Sequence, residues 1–348
     1  MEAIRVHPAP PSEEPYSPTN PAPSSALHKD KIPIPTPTAA NQLLVRIKAT
    51  TIIRDMLTWP ETYHGPYAIP GHDFSGTVES TSPTSPFKPG DAIFGMAHAD
   101  RASTWAEYAL VLTSEVAPKP PNLGWEEAAA LPLSAQTAYE ALFVHAGLAL
   151  PLALGAAEAE PEKEDQEDGR GAEKLEKRVL ITGAAGGVGI YLVQLAARAG
   201  VHVVAASGSV RRNGEFLKSL GADEVVEYAG LGEIGEKRFD VIVDCVGGDL
   251  LASCWGFVKD EGTLISVDSA SFDFVAVHEE LGLKKDGVKA LFFIIQGSGE
   301  TLRVLGDLAA RGELRSFVAA SFGIDRVREA YDYANGRFEG RGKVVLTV

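Results

Sequence analysis

The chain is poor in cysteine, has no long apolar run and carries no excess of positive charge. Its two cysteines, Cys245 and Cys254, are too few for a disulfide framework, and no Cys-x-x-Cys or His-x-x-x-His pair suggests a metal cage. We expect both thiols to be small apolar residues of the interior, with a reactive thiol as the alternative. No apolar run reaches the ~20 residues that span a bilayer, so the sequence predicts no membrane-spanning helix.

The N-terminus is rich in proline and acid and has no cationic start followed by an apolar core. The sequence therefore predicts neither a signal peptide nor a transit peptide, and a cytoplasmic location. The net charge of -15 argues against a nucleic-acid partner, because phosphate binding needs clustered lysine and arginine. A length of 348 residues with 45% hydrophobic content favours two domains over one.

Two segments are predicted to lie outside the packed core. Residues 156–177 are expected to form an acidic surface loop, because the stretch from Glu158 to Lys177 holds nine acids and four bases and almost no apolar residue. Residues 8–37 are dense in Pro, Ser and Thr and are expected to be extended and poorly packed. If the protein is instead an interaction protein, either segment is the candidate contact surface for its partner.

Residues 178–190 carry the clearest functional signal, because they pass from an apolar strand through a glycine turn into a helix. The run 179–181 is of the kind that lies buried in a parallel sheet, and residues 190–198 have apolar positions at helical spacing. Ala184, Gly186 and Gly189 occupy the three positions of a G-x-G-x-x-G fingerprint, with Ala replacing the first Gly.

Each position of this turn has a physical reason. Gly186 lets the backbone approach a pyrophosphate, and Gly189 lets the helix pack closely on the strand. The N–H groups at the helix start, around Gly187 and Val188, face the negative charge. The turn is therefore predicted to bind the phosphates of a dinucleotide, with a glycine turn that holds no ligand as the alternative.

The chain after the turn alternates strands and helices. A second apolar run (201–206) precedes a helical segment (211–220), and further strands begin at residues 224 and 239. This alternation predicts βαβ units in a doubly wound parallel sheet, a Rossmann-like α/β domain. Ligands of such sheets lie beyond the C-terminal strand ends, so Ser207, Val246 and Gly247 are predicted to line the cofactor crevice.

The end of the second strand bears on cofactor choice. An NAD site usually places Asp or Glu there to hold the ribose 2′-hydroxyl, and residues 205–212 contain no carboxylate. One small hydroxyl residue, Ser207, and two arginines, Arg211 and Arg212, are available instead for a 2′-phosphate. The sequence predicts NADP(H) rather than NAD(H), with a solvated helix start as the alternative role of the two arginines.

The part of the chain before the glycine turn is predicted to be β-rich. Residues 43–51, 74–79, 92–95 and 105–111 have strand character, with a turn at Pro70-Gly71. Residues 126–145 have helical periodicity. The chain closes with a predicted helix at 324–335 and a strand at 343–348, which could return to the first domain.

A series of motifs resembles medium-chain dehydrogenases/reductases, and specifically their zinc-free, zeta-crystallin-like quinone oxidoreductase branch. The motifs occur in family order and lie at residues 70–78, 87–91, 106–108, 128–132, 137–139, 184–189, 239–244 and 341–345. The resemblance implies a GroES-like catalytic domain (1–145), a Rossmann NADP-binding domain (146–312), a C-terminal return to the first domain (313–348), an active site in the cleft and a homodimer. It also places Thr137 and the backbone near Phe293 beside the nicotinamide, and Lys343 near the cleft.

Related alcohol dehydrogenases bind a catalytic zinc through Cys, His and Cys, and only the histidine has a counterpart here. His72 matches it, but the region of the first cysteine reads Ile52-Ile53-Arg54-Asp55, and no cysteine precedes Cys245. One imidazole cannot make a tetrahedral site, so we predict no metal. His72 is expected to be a hydrogen-bonded cleft or structural residue.

Without a Lewis acid, reduction of an activated double bond is easier than alcohol oxidation, because the charge that develops on oxygen needs only positioned donors. The sequence thus favours an NADPH-dependent, zinc-independent reductase of a small-molecule quinone or α,β-unsaturated carbonyl. Tyr63 and then Tyr67 fall where related reductases place an aromatic over the substrate, and they are the candidate proton donors, with loop capping and a solvent proton as alternatives. Two rival functions are an enoyl reductase that serves a biosynthetic synthase, and a non-catalytic NADPH sensor or interaction protein.

Overall fold

The computed structural model describes residues 1–149 and 177–348; of the predicted acidic loop, only Lys177 falls within the described residues. The described chain forms two compact units, Met1–Gln136 with Ile295–Val348 (unit 1) and Thr137–Ile294 (unit 2). None of the helices in the described residues combines the length and apolar character that crossing a bilayer requires.

Strands and α-helices of the described residues are numbered in chain order. The strands are β1 (Glu2–Val6), β2 (Leu27–Lys31), β3 (Gln42–Ile52), β4 (Asp73–Thr81), β5 (Ala92–Met96), β6 (Tyr108–Leu112), β7 (Val116–Pro118), β8 (Arg178–Ile181), β9 (His202–Ser207), β10 (Glu224–Glu227), β11 (Phe239–Asp244), β12 (Val258–Ser266), β13 (Lys289–Phe292), β14 (Val318–Gly323) and β15 (Lys343–Thr347). The helices are α1 (Trp125–Ala129), α2 (Pro132–Tyr139), α3 (Gly189–Arg198), α4 (Val210–Ser219), α5 (Leu231–Ile234), α6 (Gly248–Phe257), α7 (Phe274–Glu280), α8 (Gly299–Ala310) and α9 (Val327–Asn335).

Unit 1 is built on a seven-stranded sheet in the order β14-β15-β3-β4-β5-β7, with β6 paired to β3. The apolar residues that alternate along β3, Leu43, Val45 and Ile47, are buried in one core with Phe74 of β4. This alternation explains why residues 43–51 form a strand, since one face lies on the core. The predicted terminal strand is β15, which pairs antiparallel with β3 and so joins the C-terminal segment to the N-terminal sheet.

The N-terminal segment is better packed than the sequence predicted. β2 lies inside the proline-rich stretch 8–37 and pairs antiparallel with β1, and Leu27 is only 1% exposed. Leu27 and Ile4 share a buried cluster with Trp105. The prediction of an extended, poorly packed segment fails for this part, because the prolines lie outside the β2 ladder and its apolar residues have a core to enter.

Unit 2 contains the predicted doubly wound sheet. Its six strands are parallel and follow the order β10-β9-β8-β11-β12-β13. β8 is the first strand of this sheet along the chain. The strand order reverses between β8 and β11, which is the topological switch point of such a sheet. The prediction of a β-rich domain followed by a doubly wound, Rossmann-like α/β domain is confirmed.

Two local features differ from the sequence prediction. The single helix expected over 126–145 is divided into α1, α2 and a π-helical turn (Glu140–His145). The break between α1 and α2 falls at Pro132, which has no N–H to continue α1. The predicted domain boundary at 312 differs from the unit boundary at Ile295, since α8 packs against β7 of unit 1. Gly299 permits this contact, because a Cβ there would lie 2.5 Å from the Val116 carbonyl oxygen.

The packing of β2 can be tested by Leu27→Ala with Ile34→Ala as the matched control. Leu27 is buried whereas Ile34, in the same proline-rich stretch, is 48% exposed. We expect Leu27→Ala to lower the free energy of unfolding by about 2–5 kcal/mol because it opens a core cavity. Ile34→Ala should change it by less than about 0.5 kcal/mol. Urea unfolding measures both values, and equal small effects would contradict the packing of β2 in the core of unit 1.

Candidate active site

The glycine turn of unit 2 has the geometry that a pyrophosphate site requires. Gly186 is exposed, and a Cβ there would meet only the Gly183 carbonyl oxygen, at 3.1 Å. α3 begins directly after the turn, and Val188 at its N-terminus provides no side-chain cap. An exposed, side-chain-free backbone at an uncapped helix start fits the phosphates of a dinucleotide.

The other positions of the fingerprint hold the turn together. A Cβ at Gly189 would lie 2.2 Å from the Gly183 carbonyl oxygen and 2.6 Å from the Ala184 Cα atom. Ala184, which stands in place of the usual first glycine, is fully buried, so its methyl group packs inside the protein. Gly183 has a φ of +61°, in the left-handed region that favours glycine. Gly187 lies in this same turn between Gly186 and Val188.

A buried carboxylate beneath the crevice was not found by the sequence analysis. Asp244, at the end of β11, accepts hydrogen bonds from the Thr182 hydroxyl (2.5 Å), the Gly247 backbone N–H (2.9 Å) and the Ser266 hydroxyl (3.1 Å). These bonds connect the ends of β8, β11 and β12 to the loop after β11. The sequence feature that could have indicated this carboxylate is an aspartate at the end of an apolar strand.

The predicted crevice residues of the loop after β11 lie at the strand end as expected. Gly247 has a φ of +74°, and a Cβ there would lie 2.3 Å from the Asp268 carboxylate. Val246 beside it is 41% exposed. Gly247 itself is buried, so the surface that this loop offers at the strand end is the apolar side chain of Val246.

The end of β9 carries the residues predicted to select the cofactor. Ser207 is buried, and its hydroxyl accepts a hydrogen bond from the Asn213 side-chain amide (2.7 Å). Arg211 and Arg212 are exposed in the first turn of α4. The Ser209 hydroxyl caps this turn at the Arg212 N–H (3.4 Å). The structure thus places Ser207 and the two arginine residues at the same strand end.

Two residues at the end of the neighbouring strand, β10, were missed. Glu227 pairs in register with Ser207, and its Oε1 accepts a hydrogen bond from the Val210 N–H (2.9 Å). Burial raises the pKa of Tyr228, and a hydrogen bond with the backbone of Gly183 opposes this shift. Sequence reasoning considered only the end of β9. Glu227 lies 20 residues further along the chain, and only the strand order shows that β10 is the parallel neighbour of β9.

Thr137 and Phe293 are both in unit 2. Thr137 is buried in α2, and Phe293 directly follows β13 at the C-terminal end of the sheet. The Phe293 ring lies 4.4 Å from the ring of His145, and Lys289 donates to the His145 carbonyl (2.6 Å). The edge strand β13 is thereby attached to the π-helical turn. The nicotinamide contacts of Thr137 and Phe293 stay predictions.

Lys343 is held in a buried ion pair of unit 1. Its Nζ lies 3.2 Å from Asp73 Oδ2, and the two side chains are 7% and 0% exposed. Asp73 also accepts hydrogen bonds from the Thr51 hydroxyl (2.7 Å) and the Leu133 N–H (2.6 Å). Such a pair is sensitive to loss of either partner, because the remaining charge would be buried alone. The predicted role of Lys343 toward the cofactor is untested.

The two candidate proton donors have different surroundings. The Tyr63 hydroxyl donates to the Leu57 carbonyl and accepts from the Ala22 N–H (2.9 Å), and burial raises its pKa. Tyr67 is 40% exposed, has a φ of +59° and lies beneath the Arg5 guanidinium, 4.5 Å from the ring centroid. Tyr63 therefore anchors a loop, and action as an acid would require it to leave Leu57; both catalytic roles stay predictions.

The described residues do not fit a zinc site. His72 is buried, its Nδ1 lies 3.4 Å from the Ala97 carbonyl oxygen, and burial lowers its pKa to about 4. In the described ranges, no group of three or more His, Cys, Asp or Glu side chains could hold a metal ion. Both cysteines of the chain belong to unit 2, in which Cys254 is fully buried, whereas His72 is in unit 1.

Comparison with known proteins identifies the family. The alcohol dehydrogenase GroES-like domain matches residues 39–121, and the zinc-binding dehydrogenase domain matches residues 220–346. A probable mitochondrial zinc-binding oxidoreductase of Arthroderma benhamiae is 35% identical over 336 residues, or 94% of each chain. The chloroplast envelope quinone oxidoreductase homolog of Arabidopsis thaliana is 28% identical over 323 residues, which cover 88% of this chain and 90% of that protein.

A solved structure supports the fold. The quinone oxidoreductase from Coxiella burnetii superposes with a TM-score of 0.79 and 24% identity, over 100% of this chain and 99% of that chain. At this identity the likeness concerns the fold alone.

The predicted cytoplasmic location is wrong. The names of the two relatives assign one to the mitochondrion and the other to the chloroplast envelope. The features used for the prediction were an N-terminus without a cationic start followed by an apolar core, scarce cysteine and no long apolar run. These features argue against secretion, an oxidising compartment and a membrane span. They do not distinguish one reducing compartment from another, which is why the prediction failed.

The matched domains, the relative that covers nearly the whole chain and the fold of the two units agree with one another. The chain is an oxidoreductase that belongs to the medium-chain dehydrogenase/reductase superfamily, in its quinone oxidoreductase branch.

Proposed function

We propose that the protein uses NADPH to reduce quinones or α,β-unsaturated carbonyls without zinc. The observation that carries this proposal is the exposed Gly186 backbone at the uncapped start of α3, a site suited to dinucleotide phosphates. The name of the Arabidopsis relative supports a quinone as the substrate class. When bound, NADPH supplies the hydride.

The residues of the chain bind and orient in this proposal. The glycine turn holds the pyrophosphate, and the Asp244 hydrogen bonds keep the strand ends that carry the crevice loops in fixed positions. Binding and positioning of this kind lower the barrier by presenting the reacting atoms at short range. The proton comes from Tyr63, from Tyr67 or from solvent, and an exposed Tyr67 needs no bond to be broken first.

NADPH is preferred over NADH in this proposal because the end of β9 lacks its own acid. Ser207 closes the strand, and Arg211 and Arg212 follow in the first turn of α4. Guanidinium groups recognise phosphate through paired N–H donors, whereas a ribose hydroxyl offers them no negative charge.

Two further proposals concern the subcellular location and the oligomeric state of the enzyme. The names of the relatives support an organellar rather than a purely cytoplasmic location. A homodimer is proposed from the family resemblance, and β13 forms one edge of the unit 2 sheet with exposed apolar residues on α7 and in its flanking loops. These residues are Phe272, Val277, Leu281 and Leu283.

The proposed reaction is tested by following NADPH oxidation at the nicotinamide absorbance. We expect turnover with at least one of an ortho-quinone, a para-quinone and a short enone, faster with NADPH than with NADH. An enoyl thioester serves as the comparison substrate. Turnover of the thioester alone would favour a biosynthetic enoyl reductase, and NADPH binding without any turnover would favour a sensor.

The phosphate turn is tested by Gly186→Val with Gly189→Ala as a contrasting variant. A Cβ at Gly186 would meet only the Gly183 carbonyl oxygen outside the adjacent residues, so we expect a folded protein with at least about tenfold weaker NADPH binding. Gly189→Ala should instead destabilise the fold, since its Cβ would overlap the turn. Calorimetric titration and thermal unfolding measure the two effects, and undiminished affinity in folded Gly186→Val would refute the site.

The role of the arginines is tested by the double change Arg211→Ala and Arg212→Ala. Both side chains are exposed, so the fold should be preserved. We expect NADPH affinity to fall about tenfold or more, and NADH affinity to change by less than about twofold, because only NADPH carries the 2′-phosphate. Equal losses for the two cofactors in the same titration would argue against a 2′-phosphate contact.

A further inference from the structure

A carboxylate lies next to the strand end at which the sequence shows none. Glu227 ends β10, and the parallel pairing of β10 with β9 places its Cα opposite that of Ser207. The side chain of Glu227 is exposed. Because the C-terminal ends of parallel strands meet at one edge of the sheet, the acid lies beside the predicted cofactor-selecting residues.

The contact of Glu227 strengthens this placement. Its Oε1 accepts a hydrogen bond from the N–H of Val210 at 2.9 Å, and Val210 is the first residue of α4. The start of a helix carries a partial positive charge that stabilises one nearby anion. In this chain that anion is a side chain of the protein itself.

The same strand end is where the ribose 2′ position of a dinucleotide lies in Rossmann domains. A 2′-phosphate is therefore attracted by Arg211 and Arg212 but repelled by Glu227, and it competes with Glu227 for the start of α4. A ribose 2′-hydroxyl carries no charge, and it can donate a hydrogen bond to a carboxylate.

The other acid of β10 does not share this position. Glu224 is at the start of the strand, where it pairs with His202 (2.6 Å) and Arg178 (2.9 Å). Its pKa is held below the usual value by hydrogen bonds from these two partners. The opposing negative charge at the Ser207 end is therefore that of Glu227.

We propose that Glu227 is a specificity-determining residue of the cofactor site, which narrows the preference for NADPH over NADH. This inference rests on the proposed function, because it requires the crevice to bind a nicotinamide dinucleotide. Glu227 lowers the affinity for NADPH by repelling its 2′-phosphate, and it does not lower the affinity for NADH, which has a 2′-hydroxyl. The arginines and Glu227 together set the ratio of the two affinities.

The test is Glu227→Gln, which removes the charge but keeps an oxygen that can accept from Val210. We expect the ratio of NADPH to NADH affinity to rise about two- to fivefold, the size of a charge effect at an exposed helix start. Calorimetric titration with NADPH, NADH, 2′,5′-ADP and 5′-AMP gives the ratio without reference to turnover. Glu215→Gln is the matched control, because Glu215 is an exposed acid further along α4.

The outcomes separate the inference from the proposed function. A rise in the ratio with Glu227→Gln and none with Glu215→Gln supports it, and an unchanged or lower ratio overturns it even if both cofactors bind. If NADPH does not bind the unaltered protein, the proposed function fails first, and the inference fails with it. Should Glu227→Gln lower the unfolding temperature, Glu227→Ala, which removes the charge without adding a polar group, must also raise the ratio.

Discussion

The nucleotide-binding unit depends on the satisfaction of one buried charge. Asp244 is inaccessible to solvent, and a carboxylate in that position is costly unless its oxygens accept hydrogen bonds. Thr182, Ser266 and the Gly247 backbone provide them, and each donor comes from a different strand end or loop. The carboxylate therefore fixes the ends of three strands relative to one another. The crevice loops start from these ends, so their positions follow from it.

Unit 1 uses the same principle with a different partner. Asp73 is fully buried, and it is neutralised by Lys343 from the C-terminal strand and bonded by Thr51 and Leu133. The ion pair spans a long sequence separation, so the last strand of the chain is held in the sheet by electrostatics as well as by its ladder with β3. Replacing one partner would leave the other charge buried and unpaired, so the fold requires both residues of the pair.

The cofactor crevice shows how a local rule can be incomplete. The rule for the second strand considers one strand end, and by that rule the chain lacks an acid. In the folded sheet, β10 adds Glu227 and Tyr228 to the same edge. Tyr228 reaches the backbone of Gly183, which belongs to the glycine turn. The proposed cofactor preference thus depends on residues of two adjacent strands and of the helix start between them.

The sequence alone determined the features whose signal is local. The glycine turn, the alternation of strands and helices after it and the β-rich start were predictable, because each depends on side-chain type and spacing within about a dozen residues. The family motifs extended this to the whole chain. Tertiary structure alone decided the pairing of β1 with β2, the contact of Tyr63 with Ala22, the donors around Asp244 and the position of Glu227 beside Ser207. The physical reason is that strand order and register bring together residues far apart in the chain, and periodicity carries no information about which strands become neighbours.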